Sequence, residues 1–201
     1  FVYLSPYLGS IASKRGFYVS EKLPDPLGYS IRNTNPLLET VADQANQDPS
    51  LPPDQLTGLQ LRDLIIDALN NYSLKWPMNL GHITKNQWIN YMKRETNYYK
   101  QQTCHPSDFQ AHERLLLDLA SKMLKRKICL IPLFPEDKVE TFEPPMTTSS
   151  RIYYLLGCNK ARQHGNFYVS IFKDESNVPI RASNYLKSIF SRNINGYLLS
   201  G

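Results

Sequence analysis

Apolar residues recur at helical spacing through the first two thirds of the chain and then switch to short continuous runs. From Pro36 to Asn46, Leu37, Leu38, Val41, Ala42 and Ala45 repeat every three or four positions, which predicts a helix. Pro36 suits its first position, where a backbone donor would go unused, and Thr34 or Asn35 can cap it. A second helix is expected from Thr57 to about Tyr72, its inward stripe made of Leu61, Leu64, Ile65, Ala68, Leu69 and Tyr72. A third is expected from Thr84, as cap, to about Tyr99, with Trp88, Tyr91 and Met92 packing inward. A longer one runs from Pro106 or Ser107 to Arg126, facing inward with His112, Leu115, Leu116, Leu119, Ala120 and Met123.

The period then changes. Ile128 to Phe134, Arg151 to Gly157 and Asn166 to Lys173 are short runs rich in Ile, Tyr, Phe and Val, and they read as strands. The first two are apolar almost throughout, so helices should cover both faces of their sheet. Pro132 predicts an edge or a bulge in its strand, because proline cannot donate to a ladder. Leu23 to Gly28 and Asp48 to Asp54 are turn-rich punctuation, and 174–201 holds a further expected helix, Ala182 to Ser191, and a polar tail. The chain is 201 residues long and 41% hydrophobic, with no repeat and no low-complexity tract, and these features fit one α/β domain with a C-terminal extension.

The chain begins on Phe1 and has no apolar run long enough for a membrane span, which reads as an excised soluble fragment with no membrane association. Its three cysteines, Cys104, Cys129 and Cys158, are odd in number and lack ligand spacing, so a reducing compartment, cytosol or nucleus, is expected. Cys129 and Cys158 fall in or beside expected strands and read as core residues. Cys104, beside His105 and a helix start, is the one thiol with an activating environment in reach. His82, His105, His112 and His164 have no metal-ligand spacing, and phosphate-cradling glycine motifs are missing, so neither a metal nor another cofactor is expected.

The net charge of +5 invites an acidic partner such as nucleic acid. The densest cluster, Lys122, Lys125, Arg126 and Lys127, instead reads as a solvated helix end, where cations offset the macrodipole. Tyr98, Tyr99, Tyr153 and Tyr154 suit either a protein interface or a core rim.

The order of these pieces, with Asn33-Thr34-Asn35-Pro36-Leu37-Leu38 leading into Val41-Ala42-Asp43-Gln44, Leu61-Arg62 opening a later helix and Glu113 to Leu133 feeding a strand, resembles the OTU (ovarian-tumour) cysteine proteases over roughly residues 17 to 173. In that family an Asp-Gly-Asn-Cys-Leu-Phe motif opens the first core helix, and a histidine with an aromatic residue leads into a late strand. The resemblance implies an OTU-like, papain-type α/β (α+β) fold, a small sheet covered by helices. Pro36 stands at the place of the nucleophilic cysteine, so the resemblance implies an inactive member that binds a protein partner, ubiquitin or another. Asn33 and Asn35 would then be remnants of the loop that holds the oxyanion. One alignment puts Asn166 at the histidine; another puts His164 there, with Asn166 as its orienting partner. Two rival functions remain: an active cysteine protease using Cys104 with His164 or His105, and a basic nucleic-acid-binding module.

Overall fold

The computed structural model describes residues 5–19, 36–52, 56–78, 82–94, 106–133, 137–158 and 167–173. In chain order the elements are α1 (Ser5–Lys14), β1 (Phe17–Val19), α2 (Pro36–Asn46), α3 (Gly58–Asn70), α4 (Lys85–Arg94), α5 (Pro106–Leu124), β2 (Lys127–Pro132), β3 (Glu140–Phe142), β4 (Ile152–Cys158) and β5 (Phe167–Lys173). The strands form one mixed sheet in the order β1-β5-β4-β2-β3. Only β2 and β4 run parallel, from Lys127 opposite Ile152 to Pro132 opposite Gly157; the other neighbours are antiparallel.

Side chains alternate across a strand, so the apolar runs of β2, β4 and β5 serve two cores. Ile128, Leu130, Tyr153, Leu155 and Tyr168 join the larger core, built with α2, α3, α4 and α5 around the fully buried Trp88. Ile131, Leu156, Val169 and Ile171 face the other way and meet Ala12 and Ile11 of α1. The double-faced burial expected from composition is thus realised. The helix on the second face lies upstream of the region from which the core was expected to begin. Gly16 turns the chain from α1 into β1 at φ 80°, a left-handed conformation that residues with a Cβ avoid.

The expected helix over 36–46 matches α2 residue for residue. Thr57 caps α3 through a reciprocal box with Gln60, and Thr84 and Gln87 form the same box ahead of α4. The inward stripe expected for α3 is too wide: Leu64 is 45% exposed and Tyr72, beyond the cap at Asn71, is 82% exposed. Trp88, Tyr91 and Met92 are buried as expected. Helix α5 stops at Leu124; Met123 and His112 on it are half-buried but face inward as expected, Met123 against the larger core and His112 against the buried Tyr91 ring. The continuation of α4 to Tyr99 and the helix expected over 182–191 lie outside the described residues.

Pro132 belongs to a strand that is interior in its first half and edge-like in its second. Strand β3 pairs only with Ile128, Cys129 and Leu130, so no ladder donor is required of Pro132 on that side. Its carbonyl accepts from Arg15, which ties the α1–β1 turn to the sheet.

Helices α2 and α3 touch closely where they start. The Glu39 carboxylate accepts from the Gly58 N–H at 3.0 Å, supplementing the Thr57 cap. A Cβ on Gly58 would lie 2.6 Å from Glu39 Oε1 and 3.0 Å from the Glu39 backbone nitrogen. Alanine is the better helix former, yet Gly58→Ala is expected to lose about 1–2 kcal/mol, because overpacking outweighs propensity at such a contact. Urea unfolding measures this, and a variant more stable than the parent would contradict the close approach.

Candidate functional site

Helix α2 is apolar on its inward face except at two positions one turn apart, Thr40 and Gln44, which are 3% and 1% exposed. Polar groups buried to that degree need partners, and they find them on the strands. Thr40 Oγ1 donates to the Tyr168 carbonyl at 3.3 Å, and Ser170 Oγ donates back to the Thr40 carbonyl at 3.2 Å. Gln44 Nε2 donates to the Ile171 carbonyl at 3.0 Å, while its Oε1 accepts from the Tyr154 N–H at 3.4 Å. Tyr154 and Ile171 lie opposite each other on β4 and β5, so a single amide bridges the two strands.

These contacts fix a direction. Thr40 sits against Tyr168 and Gln44 against Ile171, so α2 and β5 run the same way. The first turn of α2, beginning at Pro36, therefore lies at the end of the sheet where β4 finishes at Cys158 and β5 starts at Phe167. Pro36 is the first helical residue, as the sequence predicts, and it supplies neither a nucleophile nor a titratable group. The flanking positions Asn33, Thr34 and Asn35, and the later His164 and Asn166, lie outside the described residues, as do Cys104 and His105. The structure thus sets the start of α2 beside the start of β5.

Of the other candidate residues, Cys129 is buried, with its sulfur 3.8 Å from Thr141 Oγ1, and belongs to the core as expected. Cys158 ends β4. His82 is exposed, and His112 stacks on the Tyr91 ring at 3.9 Å between centroids. Among the described residues no group of three His, Cys, Asp or Glu side chains converges as a metal site, and no described helix is long and apolar enough to cross a membrane.

A second polar cluster overturns the reading of the basic run. Arg126 is expected at a solvated helix end, but it is 2% exposed and pairs with Asp48 through Nε at 2.9 Å. Lys125, at φ 53°, turns the chain out of α5, and the Arg126 N–H closes on the Ser121 carbonyl, so the next side chain points inward. Arg126 also donates to Ser50 Oγ, Thr148 Oγ1 and the carbonyls of Leu124 and Lys125. Tyr153 Oη donates to Asp48 at 2.7 Å.

Burial alone would raise the Asp48 pKa, but hydrogen bonds from Ser50, Tyr153 and Arg126 outweigh it and bring it to about 2. Burial, and the hydrogen bond it gives to Asp48, push the Tyr153 phenol well above its ordinary value. Every charge in this cluster is matched within it. It clamps the loop after α2 to the starts of β2 and β4 and offers no group poised for proton transfer near neutrality. On the neighbouring strand, Tyr168 Oη donates to the Glu113 carboxylate, tying β5 to α5.

The chain is thus a mixed α/β protein whose candidate site is one end of a central helix laid along a strand. The sequence matches no protein-family profile and no curated protein. Among solved structures it is similar to the OTU domain of OTUD1, at 18% identity and a TM-score of 0.46, over 85% of this chain and 97% of that one.

Proposed function

We propose that this chain is an OTU-like domain without a working nucleophile, which binds a protein partner, ubiquitin or another, instead of cleaving it. The observation that supports this reading most directly is Pro36 at the first position of α2, with that helix start held at the end of the sheet where β5 begins. In the OTU proteases the matching helix opens on the catalytic cysteine, and the histidine precedes the matching strand. A helix N-terminus favours a thiolate through its dipole. A proline ring has no electron pair to offer a carbonyl carbon, so covalent catalysis from this position is lost. The buried threonine, glutamine and serine that lock α2 to β4 and β5 are independent of the nucleophile, so the scaffold outlasts the chemistry.

Calorimetric titration with mono- and di-ubiquitin, with the same samples followed for chain cleavage, tests the reading. The expected result is saturable binding without cleavage, weakened by substitutions around Pro36 and Asn166. Cleavage that disappears in Cys104→Ala would replace the proposal with an active cysteine protease. Absence of any ubiquitin binding would remove ubiquitin as the partner and leave another protein in that role.

A further inference from the structure

The exposed end of α3 carries a feature that the site at α2 does not explain. Tyr72 follows the Asn71 cap at φ 62°, the left-handed region that helix ends ordinarily fill with glycine or asparagine because a Cβ clashes there. The turn is closed by the Leu74 N–H on the Ala68 carbonyl at 3.0 Å. A bulky side chain at such a position is usually compensated by burial, yet Tyr72 is 82% exposed. Its ring lies under the Lys85 ammonium, 5.0 Å from the centroid. In the same loop Lys75 is exposed, Trp76 is half-buried against Trp88 at 6.0 Å, and Met78 is 89% exposed.

Between the exposed Asp67 in the last turn of α3 and Glu95 just after α4, the charge along the sequence has one sign. From Ala68 to Arg94 there is no aspartate or glutamate, while Lys75, Lys85, Lys93 and Arg94 supply four positive charges. These four account for most of the net +5, so the remainder of the chain is close to neutral. Of these, Lys75 and Lys85 belong to the corner where Tyr72 and Met78 are also offered to solvent, a combination characteristic of recognition surfaces.

We infer that the α3–α4 corner, centred on Tyr72 and Lys85, is a docking surface for an acidic peptide segment that carries apolar side chains. Carboxylates of the peptide meet Lys75 and Lys85, and an apolar side chain meets Tyr72 and Met78. A peptide fits better than a nucleic acid: Lys85 already covers one face of the Tyr72 ring, leaving that face closed to base stacking, and exposed methionine offers nothing to a phosphate backbone. The inference is independent of the reading of Pro36, since no residue of α2 or β5 enters it.

The test uses the whole chain, a synthetic peptide of glutamates interspersed with phenylalanines, a polyglutamate peptide of equal charge and an oligothymidylate. The mixed peptide is expected to bind saturably, more tightly than polyglutamate and more weakly as salt rises. Tyr72→Gly relieves the left-handed backbone, so its thermal midpoint should hold or rise while affinity falls by ~10-fold or more. Lys85→Glu leaves the turn untouched and should weaken binding as well. No binding by the parent chain, equal binding by Tyr72→Gly, or tighter binding of oligothymidylate than of the mixed peptide would each overturn the inference, the last in favour of a nucleic acid.

Discussion

Replacing Arg126 with methionine is expected to cost about 3–5 kcal/mol, a large share of the stability of a domain this size. Methionine keeps the packing of the aliphatic stem and removes the guanidinium beyond it. What changes is the charge balance of a site in which Asp48 and Arg126 are 1% and 2% exposed in their side chains. Asp48 keeps its hydrogen bonds from Ser50 and Tyr153, but its charge loses the one cation that the described structure places against it. Ser50 and Thr148 lose the donor that ties their loops to the sheet. Urea unfolding measures the loss, and the pH dependence identifies its origin. A carboxylate whose pKa falls from 3.8 unfolded to about 2 folded contributes stability that is fully present above the unfolded value and vanishes as pH drops through the folded one. For Asp48 that contribution is about 2 kcal/mol. In Arg126→Met the folded pKa rises, so the gap between variant and parent should be widest near neutrality and narrow below about pH 4. A loss independent of pH would mean that the methionine had disturbed packing instead.

That clamp also marks the boundary of what could be read along the chain. The sequence announces a cluster of lysines and an arginine after a helix, and local reasoning assigns all four to solvent. Arg126 escapes this because its partner is seventy-eight positions earlier, and no periodicity carries such a pairing. The same limit explains β1 and β3. Each is three residues long and exists because β5 or β2 offers it a ladder, so its own composition says little. Helix α1, with serines and a glycine among its apolar residues, likewise acquires its meaning from the sheet face it covers.

Where the signal is local, the correspondence is close. Proline at the first position and five apolar residues in register define α2 without reference to anything else, and the runs that became β4 and β5 need only burial on both faces. Tyr72 is the instructive failure. Apolar spacing continues through it, but Asn71 ends the helix and the next residue swings outward, so a stripe that looks unbroken in one dimension is cut in three. The candidate site divides in the same way. Pro36 at a helix start is legible from its neighbours, whereas its placement at the start of β5 depends on Thr40 and Gln44. These two stand out in the sequence as polar residues among the inward-facing Leu37, Val41 and Ala45.

Gln44 gives that placement its sharpest test. Gln44→Glu changes one nitrogen to oxygen without changing shape, and it is expected to cost about 3 kcal/mol or more at neutral pH. One carboxylate oxygen can still accept from the Tyr154 N–H, as the amide oxygen does. The other replaces a donor 3.0 Å from the Ile171 carbonyl, so two acceptors oppose each other at a position 1% exposed. The folded protein therefore favours the protonated acid, whose O–H can donate to that carbonyl, and the pKa of the introduced carboxyl group in the folded variant rises above its unfolded value. A raised carboxyl pKa makes the variant gain stability relative to the parent as pH falls, opposite in sign to the Asp48 contribution. Denaturation at neutral pH and near pH 4 separates the two. Recovery on acidification would locate the defect at the amide bridge, and a loss unchanged by pH would place it elsewhere. Because this bridge sets α2 against β4 and β5, partner binding around Pro36 should weaken in step with the loss at neutral pH and return with the acid-restored fold. Binding at the Tyr72 corner, where no contact runs through Gln44, should survive for as long as the domain remains folded.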